Sequence, residues 1–284
     1  MLTGEQIKSY HENGYLLVKG MFSKEEAAKY RESLHILFDR IDSKNYDATW
    51  GSAGERGKTQ LQHCHDVQFY DASFSRLIVD ERLTGATADL IKSPNVQLHH
   101  TKAFIKPPEK GSPFPLHQDA PFFPHERESM TAAIIHFDDA YEKKGCVRVI
   151  PGSHKGGILP HISEGSFHLD KEKYPIDRAI PVPGEAGDVL FISYLIIHGS
   201  GINESNEPRT TLLVQMRDPE DLPTVDSHAS KGQGNMLRGI NPLTRAKISP
   251  SAAMNGKSTM GGTMGGTMGG TMGGTMGGTM GGAM

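Results

Sequence analysis

The apolar positions follow two regimes along the chain. Up to about residue 92 they recur at helical spacing, and from about residue 95 they come in short runs separated by turn residues. Thr3 caps a helix that runs to about Asn13 and stops at Gly14, after which Tyr15-Leu16-Leu17-Val18 reads as a short strand. Ser23 and Glu26 form a capping box ahead of Ala27, Ala28, Tyr30, Leu34, Leu37, Phe38 and Ile41, a helical face suited to packing on a sheet. Residues 43–58 are polar and glycine-rich, a loop. Residues 72–92 carry a second helical region that Gly85 is expected to interrupt.

Val96 to Lys106 alternates and ends at Pro107-Pro108. Further strands are expected at Ala132 to Phe137, Cys146 to Ile150, Ala179 to Val182, Asp188 to Ile192, Leu195 to His198 and Thr210 to Met216. Lys144-Gly145, Pro151-Gly152-Ser153 and residues 183–188 supply turns. Many short strands behind a helical flank predict a mainly β fold, a double-stranded β-helix (jelly-roll, cupin-like) core with flanking α-helices. The expected organisation is one domain over 1–220, with helices in 1–92 and the core in 93–220. A C-terminal extension over 221–258 precedes residues 259–284, which hold six copies of Thr-Met-Gly-Gly. Four-residue periodicity suggests a soft-metal tract, but half of the repeat (residues 259–282) is glycine with little to bury, so a flexible tail is expected.

Composition narrows the class. With 284 residues and 36% hydrophobic content the chain can bury a sizeable core. A formal charge of -3 gives no reason to expect nucleic acid or an anionic membrane as partner. Cys64 and Cys146 stand far apart, which offers neither a disulfide framework nor zinc spacing and suits a reducing, cytoplasmic setting. The charged N-terminus is unlike a secretory signal, and no apolar run of membrane-spanning length occurs.

The chemistry concentrates around Leu116-His117-Gln118-Asp119. On an extended strand His117 and Asp119 leave the same face, so an imidazole and a carboxylate can take adjacent corners of a metal's shell. Two ligands are too few, and His-x-Asp alone occurs by chance. His198 comes 81 residues later, at the end of an expected strand, and Arg209 follows it by eleven. Two imidazoles and one carboxylate match the facial triad of non-heme Fe(II) oxygenases, which leaves positions for an α-keto acid and O2. The distal carboxylate of that acid calls for an arginine fork rather than a lysine. Arg209 begins a strand after a turn, so it can return beside His198, and Ser200 can offer a hydroxyl to the same carboxylate. The histidines at 11, 35, 63, 99, 125, 154, 161, 168 and 228 show no ligand spacing.

Six ordered pieces carry a family resemblance over residues 2–218. They are Leu2 to Val18, Lys106-Pro107-Pro108, Leu116 to Asp119, Gly145 to His154, Gly187 to Phe191, and His198-Gly199-Ser200 with Arg209. Together they resemble the phytanoyl-CoA dioxygenase (PhyH) family of Fe(II)/2-oxoglutarate-dependent oxygenases. The resemblance implies iron ligation by His117, Asp119 and His198. It implies 2-oxoglutarate bound by Arg209 with Ser200, with Gln118, Lys102 and Lys106 at positions near that co-substrate. Solvated strand-edge lysines are the plainer account of Lys102 and Lys106. His65 falls at an expected pocket position, and Ile135 stands where an aromatic, usually Trp, often lines the pocket. His154 is expected to fix its turn by a hydrogen bond.

The expected reaction uses Fe(II), 2-oxoglutarate and O2 to hydroxylate a C–H bond of a small organic metabolite, releasing succinate and CO2. Related halogenases replace the metal-binding carboxylate by a small residue, and Asp119 therefore favours hydroxylation. Two rivals are a non-catalytic jelly-roll protein that binds metal and 2-oxoglutarate, and a metal-dependent isomerase or hydrolase on a cupin-like barrel. Arg209 weighs against a pure metal binder that keeps the cage without turnover, which has no need of the co-substrate cation, and against the isomerase or hydrolase. Lys44, Arg56, Lys58 and the two strand lysines could meet an anionic substrate, although a solvated surface explains the first three equally well.

Overall fold

The computed structural model describes residues 1–40, 61–109, 111, 113–163, 167–225 and 230–243. The loop at 43–58 with Lys44, Arg56 and Lys58, His228 and the Thr-Met-Gly-Gly tail lie outside these residues.

Helix α1 (Gly4–Asn13) opens with a complete Thr3/Gln6 capping box and ends at Gly14 in the left-handed conformation (φ 80°). Strand β1 (Tyr15–Val18) and helix α2 (Lys24–Arg40) follow; α2 buries Ala27, Leu34, Leu37 and Phe38, the expected face. The region 72–92 divides into α3 (Ala72–Ile78) and α4 (Glu81–Ile91). The break falls before Gly85, which lies buried within α4. Its cause is Asp80, whose side chain accepts from the Arg82 amide and starts a new helix, as Asp71 does for α3.

A large antiparallel sheet runs β1–β8–β5–β10–β3–β11, with β2 also pairing β3. Its members are β2 (Gln62–His65), β3 (Val96–Lys106), β5 (Thr131–His136), β8 (Val189–Ser193), β10 (Arg209–Arg217) and β11 (Met236–Arg238). A smaller sheet runs β4 (Phe114–His117), β9 (His198–Ser200), β6 (Val147–Val149) and β7 (Ile180–Pro181). This is the jelly roll the strand pattern predicts. Two of its strands, β2 and β11, carried no strand expectation, and β11 comes from the stretch read as an extension.

Alternation along the central strands builds two apolar layers. Ala133 and Ile135 of β5, with Val189 and Phe191 of β8, pack against the helices. Ala132, Ile134, Leu190 and Ile192 face the other way and meet Val147 and Val149 of the small sheet. Where β8 begins, Gly187 takes φ 96° and an added Cβ would run into the Phe22 carbonyl oxygen. Phe22 N–H donates to Gly187 O at 3.0 Å, so the first helical layer is tied to the sheet there.

Candidate metal centre and pocket

His117 ends β4 directly opposite His198, which begins β9. Asp119 lies beyond the strand, with φ −74° and ψ −32°, at the start of a 3-10 turn over Ala120–Phe122. The expectation that both side chains leave one face of a strand is therefore corrected. A bend, rather than strand alternation, brings the carboxylate back beside the imidazole. Asp119 N–H and Ala120 N–H both donate to Tyr194 O at 3.0 Å and hold that bend.

The three side chains meet in a nearly buried corner. Asp119 Oδ1 lies 3.8 Å from His117 Nε2 and 3.7 Å from His198 Nε2. One donor atom from each lies within 4.8 Å of the others. His117 Nδ1 is 2.8 Å from Pro115 O, and His198 Nδ1 is 3.1 Å from Ile196 O. A carbonyl only accepts, so each Nδ1 carries the proton and each Nε2 keeps a lone pair aimed at the shared corner. Burial, reinforced by His198, holds the His117 pKa well below the ordinary imidazole value. Burial pushes the Asp119 carboxyl up, against His198, Gln215 and Lys102, which favour the anion. Two imidazoles and a carboxylate on one side of an open corner form a donor set that fits a divalent iron site.

The corner opens on a cavity of about 360 Å³ between the sheets. One wall is the inward row of β10, from Arg209 through Thr211 and Leu213 to Gln215. Beside it run His100, Lys102 and Phe104 of β3, with His65 of β2 paired opposite Lys102. Phe114, Phe122, Phe123 and Ile134 give the rest an apolar lining.

Arg209 is 4% exposed, and its guanidinium donates to Gly145 O. Its Nε has no hydrogen-bond partner, and no carboxylate pairs with it among the described residues. Burial lowers its pKa to about 10, so it stays charged at neutral pH. Lys106, its cross-strand neighbour, is fully buried and donates to Ser200 Oγ at 2.8 Å and Gly201 O at 2.7 Å. Burial, and then Arg209, pull the Lys106 pKa well below that of an ordinary lysine. Two close buried cations are costly without an anion between them.

A profile for a family described as phytanoyl-CoA dioxygenase (PhyH) matches residues 10–211. The chain belongs to this family. A "probable alpha-ketoglutarate-dependent hypophosphite dioxygenase" of Stutzerimonas stutzeri is 30% identical, over 74% of this chain and 77% of that protein. The peroxisomal phytanoyl-CoA dioxygenase of Rattus norvegicus is also 30% identical, over 72% of this chain and 65% of its own length. Among solved structures, the epimerase SnoN in complex with Fe3+, alpha ketoglutarate and nogalamycin RO has a TM-score of 0.65 at 21% identity. That match covers 82% of this chain and 98% of the SnoN chain, and it shows a shared fold.

Within this PhyH-family site, His117, Asp119, His198, Arg209, Ser200, Lys102 and His65 share the cavity. Ile135 does not. β5 turns it into the layer under the helices, and Ile134 meets the cavity in its place. Gln118 also points elsewhere. It is fully buried, its amide donates to Gly157 O (2.9 Å) and Leu195 O (2.6 Å), and its oxygen accepts from Leu159 N–H (2.8 Å). Lys106 reaches the cavity only through Ser200. His154 Nε2 lies 3.2 Å from His11 O, in keeping with a turn-fixing role.

Three features escaped the sequence reading. A bulge in β3 at His99 shifts the register against β10, and His99 and His100 approach to 2.7 Å through their Nδ1 atoms. Phe122 and Phe123, three and four residues beyond Asp119, line the cavity. His161 lies directly behind the His117–Asp119 motif. Adjacent histidines in a strand hint at a bulge; the other two carried no local signal.

Proposed function

We propose that this protein is an Fe(II)- and 2-oxoglutarate-dependent dioxygenase that hydroxylates a C–H bond of a small organic metabolite. One observation carries the reading. A two-histidine, one-carboxylate corner shares a cavity with a buried arginine that no carboxylate pairs among the described residues. A metal binder has no use for that cation, whereas an α-keto acid chelated at the corner needs it at its far end.

His117, Asp119 and His198 would hold iron on one face, and the protein's part is to keep the opposite face open. Bound iron supplies the oxygen activation and hydrogen abstraction that no side chain can perform. Arg209 takes the distal carboxylate of 2-oxoglutarate. Because Lys106 donates into Ser200 Oγ, the Ser200 hydroxyl proton is left to point at the same carboxylate. The incoming anion also offsets the mutual repulsion of Lys106 and Arg209, so the apo site is biased toward binding it. Phe114, Phe122, Phe123 and Ile134 keep the reacting C–H bond in a dry space. In the overall reaction one oxygen atom of O2 ends in succinate and the other in the substrate hydroxyl, with CO2 released.

Supplied with Fe(II), ascorbate and 2-oxoglutarate, the wild-type protein should form succinate, and His117→Ala and Asp119→Ala should abolish its formation. Full turnover in both variants would sink the assignment. Anaerobic addition of 2-oxoglutarate to the Fe(II) form should give a weak visible charge-transfer band that Arg209→Gln diminishes.

A further inference from the structure

Two peptide planes join His117 to Asp119, and their orientation decides how the two ligands bite a metal. The N–H of the second, on Asp119, is fixed by a backbone carbonyl, Tyr194 O. The N–H of the first, on Gln118, is held by a side chain: it donates to His161 Nε2 at 3.0 Å. His161 Nδ1 lies 2.8 Å from Leu159 O. A carbonyl can only accept and a backbone N–H can only donate, so the two contacts together demand one tautomer, protonated on Nδ1 and bare on Nε2.

The ring is also locked in place by packing. His161 stacks on Phe167 with centroids 5.1 Å apart and planes 21° apart. Phe167 meets Phe122 edge-on at 4.9 Å, and Phe122 meets His117 edge-on at 6.1 Å. His161 therefore reaches the ligand pair by two routes, a hydrogen bond to the intervening peptide and an aromatic ladder. Gln118 grips the same 157–161 segment from the other side.

We propose that His161 is a positioning residue for the metal centre, fixing the His117–Asp119 bite by accepting the Gln118 N–H. The inference rests on the metal reading above. It assigns function to a histidine outside the ligand set, 42 residues beyond Asp119 in the chain.

The test uses Mn(II) as probe, with binding to the full-length apoprotein followed by the electron paramagnetic resonance signal of free Mn(II). His161→Phe keeps the ring and orphans the Gln118 N–H; His161→Gln keeps an acceptor near the Nε2 position and discards the ring. Loss of a hydrogen bond behind a metal ligand typically weakens affinity by about 10- to 100-fold. His161→Phe should fall in that range, while His161→Gln should stay within about threefold of wild type, since the acceptor survives. A packing role alone predicts the reverse order. Equal losses in the two variants, or wild-type affinity in His161→Phe, would overturn the proposal. If His161→Phe does not fold, long-range 1H–15N spectra of the wild type still decide, because a His161 ring protonated on Nε2 contradicts it. Failure of the wild type to bind Mn(II) at all would remove the metal reading and this inference with it.

Discussion

Arg209 shows how much a single side chain is asked to do. Its guanidinium is buried beside a second cation, spends one donor on Gly145 O and leaves Nε unmatched. Arg209→Lys retains charge but loses the planar fork, so the dissociation constant for 2-oxoglutarate should rise by about 10- to 100-fold. Calorimetry on the Mn(II) form would read it, and an unchanged constant would show that the keto acid is anchored elsewhere. Gln118 invites a different prediction. Replacing it with Leu orphans Leu195 O in a buried setting, and Gly157 O and Leu159 N–H in partly buried ones. At ~1–3 kcal/mol for an unsatisfied buried group, Gln118→Leu should lose about 1–3 kcal/mol in urea unfolding. Its resemblance-based place beside the co-substrate predicts instead a normal midpoint with weakened 2-oxoglutarate binding.

At the scale of elements, strand β5 separates what was legible from what was not. Thr131-Ala132-Ala133-Ile134-Ile135-His136 is buried at every position. With both faces covered, polarity does not alternate, so the sequence identifies a central strand without revealing its phase. The family resemblance puts Ile135 at the pocket, and the strand's polarity offers nothing to correct it; Ile134 occupies the pocket instead. The helical faces, the capping boxes and the clustering of His117, Asp119 and His198 could be read because each rests on local spacing or on a distinctive residue type. The bend at Asp119, the bulge at His99 and the contact of His161 with Gln118 depend on packing between distant segments. The split between α3 and α4 was within reach: Asp80 is a good N-cap, but Gly85 is the more conspicuous interruption. The phase of β5 can be tested directly. Ile135→Ala should cost about 2–5 kcal/mol of stability through a core cavity and leave uncoupled 2-oxoglutarate consumption near wild type. Ile134→Ala should alter the coupling of that consumption to substrate oxidation. Exchanged outcomes would reverse the assignment of the two faces.

At the scale of the molecule, several of the described histidines are buried in a way that disfavours their charged form, and this sets the response to acid. Burial lowers the pKa of His136 to about 3, with Arg209 adding to the effect, and places His117 well below its ordinary value. Burial also lowers His125 and His161, and His11, His35 and His154 to a lesser depth of enclosure. In the unfolded chain each of these takes a proton near pH 6.5, whereas the folded chain refuses it until more acidic values. Between those limits the unfolded state binds more protons, so stability is greatest above about pH 6.5 and declines as pH falls. Urea midpoints of the apoprotein should therefore drop steadily from pH 7 to pH 5, and His136→Gln should flatten the slope by up to one proton. A profile flat across that interval would mean the imidazoles are solvated in the native state. Mn(II) sharpens the contrast. At a hundredfold excess over its dissociation constant a native-state ligand adds about 2.7 kcal/mol. Protonation of His117 competes with the metal, so at a fixed Mn(II) concentration this increment should shrink as the solution is acidified. Wild type should then be more acid-sensitive with metal than without, a difference that His117→Ala should erase.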